Sequence, residues 1–168
     1  MLIITMGLPG SGKTFFASAF SKRIGATHIN SDGVRKELNK NPTYTTRDKE
    51  TVYQSMFNKV SEELTKGKTV IVDATFSRKR YREPYFEIVK EHGIPYYIIF
   101  VEANKNTIAK RLSKKRPDSD ADLAVHNKIK AEYEELEMDH LVLQSDQLSL
   151  EEMITSALDF IKLKKKAS

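Results

Sequence analysis

The sequence lacks cysteine and any long apolar run. Without cysteine among its 168 residues, the chain can form neither disulfides nor thiolate metal sites, although this absence does not fix the cellular compartment. No apolar stretch approaches the roughly 20 residues that a membrane-spanning helix needs. The first strand pattern begins at Leu2, which leaves no room for a signal peptide before it. We therefore expect a globular protein without a membrane partner, with the cytoplasm as its default location.

Internal repeats, low-complexity linkers and histidines at metal-ligand spacing are also missing. The four histidines show no such spacing, and we assign them no role. A chain of this length is most simply one domain, residues 1–168, that can bury a good core. Its 28 basic and 23 acidic residues leave a net charge of +5, which permits nucleic-acid binding without requiring it. Nothing in the sequence indicates an oligomeric state.

A glycine-rich stretch with the pattern G-x-x-x-x-G-K-T follows the first strand pattern. It consists of Gly7, Leu8, Pro9, Gly10, Ser11, Gly12, Lys13 and Thr14. The apolar, β-branched run before it predicts a buried parallel strand, and apolar residues at helical spacing after it predict a helix. This strand–loop–helix context is the one in which the pattern indicates a phosphate-binding loop, or P-loop.

The pattern has a direct chemical interpretation. Glycines let the backbone form a nest of N–H groups around phosphate oxygens, and the following helix directs its positive dipole end at the same anion. Lys13 would contact the β- and γ-phosphates of a nucleoside triphosphate, and the Thr14 hydroxyl would ligate Mg²⁺. We therefore expect a site for ATP and Mg²⁺, with GTP in place of ATP left open.

Strand and helix patterns alternate along the rest of the chain. Further short apolar strands are predicted at residues 27–29, 69–73, 96–101 and 141–143. Five short buried strands joined through helices predict an α/β fold with a five-stranded parallel sheet and helices on both faces. In such folds ligands bind beyond the carboxyl ends of the strands, which is the edge where the P-loop lies.

Several local predictions can be compared directly with a structure. A capping box of Ser149 and Glu152 predicts the start of the last helix. The pattern also predicts a loop over residues 40–46 and a helix over residues 125–136. Proline fits poorly deep inside a helix, so we expect a break just before Pro84.

Two carboxylates follow other predicted strands at the same edge as the P-loop. Asp32 and Arg35 lie three residues apart at the start of a helix and so share a face. A phosphoryl-transfer enzyme needs a carboxylate that accepts the proton of the attacking hydroxyl, and a guanidinium that holds anionic groups. Asp73 ends a buried strand, where a carboxylate could hold Mg²⁺ through water or line the acceptor pocket. An ordinary helix start at Asp32 and a capping carboxylate at Asp73 are the structural alternatives.

The P-loop and three further segments resemble a family of P-loop kinases. This family includes the phage-type polynucleotide 5′-hydroxyl kinases and the zeta toxins, and still more similar are predicted AAA-type kinase domains, of unknown substrate, that are sometimes fused to aminoglycoside-phosphotransferase-like domains. The resemblance runs from Met1 to about Leu136. The similarity to the polynucleotide kinases and zeta toxins is carried by the P-loop, Ser31-Asp32-x-x-Arg35, Val70-Ile71-Val72-Asp73-Ala74-Thr75 and a later Arg-rich segment. The similarity to the predicted kinase domains is carried by Ser31-Asp32-x-Val34-Arg35-Lys36-Glu37-Leu38, Asp73-Ala74-Thr75-Phe76 and Asp118-Ser119-Asp120-Ala121-Asp122-Leu123-Ala124.

The resemblance implies an adenylate-kinase-like P-loop fold with a helical lid, and it implies roles for individual residues. Asp32 would be the general base, and Arg35 would contact the acceptor or the γ-phosphate. The lid would lie at about residues 111–128, with Arg111 and Arg116 stabilising charge on the transferred phosphoryl group. Lys115 remains open as the acting cation, and a solvated basic helix end is the structural alternative.

A basic cluster with an interleaved tyrosine follows Asp73. It comprises Arg78, Lys79, Arg80 and Arg82 around Tyr81. Such a cluster suits an acceptor phosphate or a nucleic-acid surface, but it is more often a solvated helix face, and we favour the solvated face.

These features predict an ATP- and Mg²⁺-dependent kinase that transfers a γ-phosphoryl group to a hydroxyl, in which Lys13, Asp32, Arg35, Arg111 and Arg116 act. The leading named acceptor is the 5′-hydroxyl of a polynucleotide. A small metabolite alcohol, a cell-wall sugar nucleotide and a nucleotide-gated ATPase that controls a partner are the alternatives.

Overall fold

A computed structural model describes residues 1–38, 45–113 and 122–167. Strands and helices alternate along these segments. The strands are β1 (Leu2–Met6), β2 (Thr27–Asn30), β3 (Val70–Asp73), β4 (Tyr96–Glu102) and β5 (Leu141–Gln144). The helices are α1 (Lys13–Ile24), α2 (Ser31–Leu38), α3 (Thr46–Thr65), α4 (Lys79–Glu91), α5 (Lys105–Leu112), α6 (Leu123–Ala131) and α7 (Leu150–Ala167).

All five strands are parallel and form one sheet in the order β2-β3-β1-β4-β5. The first strand is therefore central, with β3 on one side and β4 on the other. The chain after β1 leaves the sheet between its two halves, which is the switch point where ligands bind in open α/β sheets. The predicted α/β fold, with its five-stranded parallel sheet, is confirmed.

Alternate residues of β1 pack into two separate cores. On one face Leu2 and Ile4 contact a cluster that includes apolar residues of α3 and α4. On the other face Ile3 belongs to a cluster with apolar residues of α1 and α7. Because β1 is buried on both faces, it needs a continuous apolar sequence, and it has one. The prediction of helices on both faces of the sheet is confirmed.

Capping motifs fix the starts of the two longest helices. At α3 the Thr45 side chain accepts a hydrogen bond from the backbone N–H of Asp48, whose carboxylate accepts one from the N–H of Thr45. Ser149 and Glu152 form the predicted capping box at α7. The helix start at Thr46 shortens the predicted loop by one residue, and residues 40–44 of that loop lie outside the described segments.

The predicted helix break at Pro84 is wrong. Helix α4 runs without interruption from Lys79 to Glu91, with Pro84 in its second turn. The ring removes one intrahelical donor, but the side chains of Tyr81, Arg82 and Tyr85 around it are buried. Packing against the sheet therefore offsets the local cost of the proline.

Helix α6 is also shorter than the sequence pattern predicts. It ends at Ala131, and residues 132–138, here called the strap, run along the start of α4. The backbone N–H of Glu134 donates to the Ser77 carbonyl, and the carbonyls of Glu134 and Glu135 accept from the Arg82 guanidinium. Backbone groups used in this way cannot continue a helix. These contacts with α4 therefore end α6 earlier than the sequence pattern predicts.

The predicted lid falls partly outside the described residues. Helices α5 and α6 cover its two ends, whereas Lys115 and Arg116 lie in the gap between the described segments. Within the described segments, no helix combines the length and the apolar character that crossing a bilayer requires.

Candidate functional site

The P-loop between β1 and α1 has the backbone of an anion-binding nest. Gly7, Gly10 and Gly12 have φ angles of +150°, +84° and +92°, in the region that favours glycine. A Cβ atom at Gly7 would lie 2.2 Å from the Val101 carbonyl oxygen of β4, so no other residue fits there. Gly12 precedes α1, and the first intrahelical bond runs from the Phe16 N–H to its carbonyl. The loop amides therefore adjoin the positive end of a twelve-residue helix, and both favour a bound anion.

Lys13 and Thr14 occupy the first two positions of α1 and are partly exposed. Within residues 1–38, 45–113 and 122–167, no carboxylate forms an ion pair with the Lys13 ammonium, which leaves its charge available for an anionic ligand. The first turn of α1 also contains no acidic residue. The electrostatics at this helix start favour a phosphate group.

Asp32 and Arg35 contact each other at the start of α2. The Arg35 guanidinium donates to Asp32 Oδ1 at 2.8 Å. The Asp32 side chain is 36% exposed and that of Arg35 is 14% exposed, so the carboxylate is accessible and the guanidinium is largely covered. Asn30, the last residue of β2, accepts a hydrogen bond at Oδ1 from the Gly33 N–H at 2.7 Å and thereby fixes the turn into the helix. The pair is thus held at the carboxyl edge of the sheet by the strand that precedes it.

Asp73 is the last residue of β3, the strand next to β1 from which the P-loop starts. Its register partners are Thr5 of β1 and Asn30 of β2, so it sits level with both neighbouring strands. The side chain is 1% exposed, and neither carboxylate oxygen has a hydrogen-bond partner. The imidazole Nε2 of His28 lies 3.5 Å from Oδ2. A buried carboxylate without donors is costly, which is a signature of a functional group.

The donor set around Asp73 fits a hydrated Mg²⁺ ion. Besides the carboxylate, the hydroxyls of Thr5 and Ser11 are buried without partners. Oxygen ligands are those that Mg²⁺ prefers, and it usually keeps several waters that would hydrogen-bond to such groups. These two hydroxyls and the Asp73 carboxylate are buried oxygens that no protein group of the described segments satisfies, and Thr14 is the further predicted ligand.

The turn after β3 is held in a strained conformation. Phe76 has a φ of +50°, and no other non-glycine residue of the described segments has a positive φ. Its backbone N–H donates to the Tyr53 hydroxyl of α3 at 3.1 Å. Burial raises the pKa of Tyr53 well above its ordinary value, so the phenol stays protonated and neutral. Strained backbone next to Asp73 is consistent with a site whose geometry is fixed before a ligand binds.

Arg111 does not project freely from the lid. One guanidinium nitrogen, Nη1, donates to the Ser145 hydroxyl at 2.8 Å and to the carbonyls of Gly10 and Ser11 at 3.2 Å. The other, Nη2, donates to the Ser145 carbonyl at 3.1 Å. This arginine connects α5, the P-loop and the turn after β5. Its predicted contact with a transferred phosphoryl group stays a prediction, as does that of Arg116, which lies outside the described residues.

The basic cluster of α4 is engaged within the protein. Arg78 pairs with Glu132 and Glu134 of the strap. Lys79 and Arg80 pair with Glu137 and Glu50 at 2.7 and 3.2 Å, while the Arg82 guanidinium is buried. The cluster therefore stabilises α4 and the strap, and its charge is largely neutralised by the protein's own carboxylates.

The sequence pattern missed several residues that touch the site. His28 contacts Asp73, Tyr53 holds the turn at Phe76, and Ser145 and His126 contact the P-loop backbone. His126 and Ser145 are separated from their P-loop partners by 117 and 134 residues, so no local pattern could reveal them. For His28, the sequence offered one signal: a polar side chain within a short strand, while another strand ends in the carboxylate of Asp73.

Comparison with known proteins agrees with this geometry. Residues 2–136 match a protein family described as AAA domain. L-seryl-tRNA(Sec) kinase of Methanococcus maripaludis is 32% identical over 116 residues, which are 66% of this chain and 44% of that protein. A protein of Acanthamoeba polyphaga mimivirus, named as a bifunctional polynucleotide phosphatase/kinase, is 27% identical over 115 residues, or 68% of this chain and 24% of that one. The chain thus matches less than half the length of either relative.

A solved structure shows the same architecture. The APS kinase CysC of Mycobacterium tuberculosis, in complex with AMPPNP and APS, superposes with a TM-score of 0.71 at 18% identity, covering 96% of each chain. At this identity the similarity establishes the fold alone. Because the family match spans most of the chain, the protein belongs to the AAA domain family, and its fold is that of the P-loop kinases.

Proposed function

We propose that the protein is a Mg²⁺-dependent kinase that transfers the γ-phosphoryl group of ATP to a hydroxyl acceptor. The observation that carries the proposal is the convergence of three groups at one sheet edge: the P-loop nest, the exposed Asp32 carboxylate paired with Arg35, and the buried Asp73. A protein that only bound nucleotide would have no need for an accessible carboxylate beside the phosphate loop. The names of the relatives, both of which include a kinase activity, support the same reaction class.

The proposed reaction forms a bond between the acceptor oxygen and the γ-phosphorus and breaks the bond between that phosphorus and the β,γ-bridging oxygen. Asp32 accepts the proton of the attacking hydroxyl, and ADP leaves. Loop amides and Lys13 hold the phosphates in line with the acceptor. Arg35 orients Asp32 through their 2.8 Å contact and places positive charge beside the entering group.

Thr14 and Asp73 would hold Mg²⁺, the latter through bound water. When bound, the ion supplies charge neutralisation at the β- and γ-phosphates. Our support is the set of buried oxygens at Thr5, Ser11 and Asp73 that no protein donor satisfies. His28 Nε2 lies 3.5 Å from Asp73 Oδ2, so it is the neighbouring side chain of the same set.

The acceptor class is proposed from the relatives and from the charges. A polynucleotide 5′-hydroxyl is the leading named acceptor because a similar protein is named as a polynucleotide phosphatase/kinase. A small hydroxyl compound is the second candidate, and one observation favours it. The basic residues of α4 pair with the protein's own glutamates, which leaves them less available to a nucleic-acid backbone.

The experiment that tests the function is phosphoryl transfer from γ-labelled ATP with Mg²⁺. A 5′-hydroxyl oligonucleotide, a panel of small alcohols and buffer alone are offered in parallel to the wild type and to Asp32→Asn. We expect label on an acceptor and a loss of kcat of about 10²- to 10⁴-fold in the variant, since that is the contribution of a positioned general base. The KM for ATP should change little because Asp32 does not touch the nucleotide phosphates.

Glu37→Gln is the matched control for this test. Glu37 lies on the same helix, is exposed and pairs with Lys59 at 2.5 Å, so its loss should alter kcat by less than twofold. ATP hydrolysis that a protein partner stimulates, without a phosphorylated acceptor and with equal rates in the wild type and Asp32→Asn, would contradict the kinase proposal.

A further inference from the structure

Three consecutive carbonyl groups of the P-loop are held by side chains from outside the loop. The Pro9 carbonyl contacts His126 Nδ1 of α6 at 2.8 Å. The Gly10 carbonyl accepts from Arg111 of α5, and the Ser11 carbonyl accepts from both Arg111 and Ser145.

This arrangement follows from the geometry of an anion nest. When successive N–H groups turn toward a phosphate, the carbonyls of the same peptide units turn away from it. Pro9, Gly10 and Ser11 are buried, so each outward carbonyl needs a protein donor in place of water. The side chains that supply those donors therefore set the direction of the Gly10 and Gly12 amides, which follow the Pro9 and Ser11 carbonyls, whereas the Ser11 N–H donates to the Leu8 carbonyl at 3.1 Å.

His126 is the least expected member of this set. It is 4% exposed although it is the only buried residue of the nine-residue helix α6, whose neighbouring side chains Val125 and Leu123 are exposed. A carbonyl oxygen only accepts hydrogen bonds, so Nδ1 must carry the proton. Asp122 caps the same helix by accepting at 2.8 Å from the N–H of Val125, one residue before His126, which fixes the start of the helix.

We infer that His126 is a positioning residue for nucleotide binding: it attaches α6 to the P-loop at Pro9 and holds the loop in its phosphate-binding conformation. Helix α5 contributes Arg111 to the adjoining carbonyls, so the helices at the two ends of the predicted lid are attached to consecutive peptide units of the loop. The inference rests on the nucleotide-binding part of the proposed function and is independent of the acceptor.

Three substitutions at His126 separate the hydrogen bond from the volume of the ring. Asparagine places its amide nitrogen close to the position of Nδ1 and can donate to Pro9, whereas glutamine extends its nitrogen toward the position of Nε2, and phenylalanine keeps the ring without a donor. The dissociation constant of Mg²⁺·ADP, measured by isothermal titration calorimetry, should rise about tenfold in His126→Phe and His126→Gln. In His126→Asn it should stay within about threefold of the wild-type value.

His140→Phe is the matched control. The Nδ1 atom of His140 also contacts a backbone carbonyl, that of Met138 at 2.6 Å, but the contact is outside the P-loop. The same substitution there should leave the affinity for Mg²⁺·ADP unchanged. Equal weakening in both phenylalanine variants would indicate a general loss of packing and would overturn the inference.

A second measurement does not depend on nucleotide. In the free wild-type protein, ¹⁵N chemical shifts of the imidazole should show the tautomer with the proton on Nδ1, and a proton on Nε2 alone would overturn the inference.

A wild type that binds no nucleotide would overturn the proposed function, and with it the role of His126. Nucleotide binding by the wild type with unchanged affinity in His126→Phe would overturn the inference alone.

Discussion

At the scale of one residue, Asp73 lies in an environment that disfavours stability, and we propose that it serves function instead. Its carboxylate is 1% exposed and receives no hydrogen bond within the described segments, and the imidazole Nε2 of His28 lies 3.5 Å from Oδ2. Asp73→Asn removes the buried charge, so we expect the free protein to gain about 1 kcal/mol in its free energy of unfolding. In the kinase assay the same variant should lose about 10²-fold or more in kcat, because a contact to the metal and its water is lost.

Two measurements test whether Asp73→Asn raises the stability of the free protein while it weakens the response to nucleotide. Urea unfolding of the free protein gives the stability, and the shift in melting temperature on adding Mg²⁺·ADP should be smaller in the variant than in the wild type. Asp139→Asn is the control, since Asp139 is exposed and lies outside the site. A destabilised Asp73→Asn protein with a normal response to Mg²⁺·ADP would mean that Asp73 is a structural residue.

At the scale of elements, the strap shows how tertiary contacts shape a segment. Arg82 is 2% exposed and donates to the carbonyls of Glu134 and Glu135 at 2.9 and 3.3 Å, with its guanidinium carbon 5.9 Å from the Tyr133 ring centroid. Arg82→Met keeps much of the volume but leaves two carbonyls without a donor. We expect a loss of about 2–3 kcal/mol in the free energy of unfolding and faster cleavage of the strap by a glutamate-specific protease.

Arg80→Met provides the comparison on the same helix. Arg80 is exposed and pairs with Glu50, so its replacement should change stability by no more than about 0.5 kcal/mol. Equal cleavage rates in the two variants would show that Arg82 does not hold the strap.

The elements that the sequence predicts best are those with a local cause. The strand, loop and helix around Gly7–Thr14 follow from apolar periodicity and from glycines that a crowded backbone requires. The capping box at Ser149 likewise lies within four residues. Pro84 inside α4 and the early end of α6 depended on contacts between segments far apart in sequence, for which a single chain offers no pattern. The contact between His126 and Pro9 was unpredictable for the same reason.

At the scale of the whole molecule, the net charge of +5 gives an incomplete description of the surface. The basic cluster at the start of α4 is paired with Glu50, Glu132, Glu134 and Glu137. The hydrogen bond from the Lys79 ammonium holds the pKa of Glu137 below its ordinary value. Binding a nucleic-acid backbone with this cluster would require breaking these ion pairs.

The pairing of the α4 cluster therefore predicts weak salt dependence if an oligonucleotide is the acceptor. Each phosphate neutralised on a single strand contributes about −0.7 to the slope of log K against log salt, so one to three contacts near the P-loop give a slope of about −1 to −2. This slope is measured by fluorescence anisotropy of a labelled 5′-hydroxyl oligonucleotide between about 50 and 200 mM salt. Lys79→Gln should leave it unchanged, because Lys79 is paired with Glu137. A slope of about −4 or steeper that becomes shallower in Lys79→Gln would show instead that α4 exchanges its glutamates for phosphates and forms part of the acceptor surface.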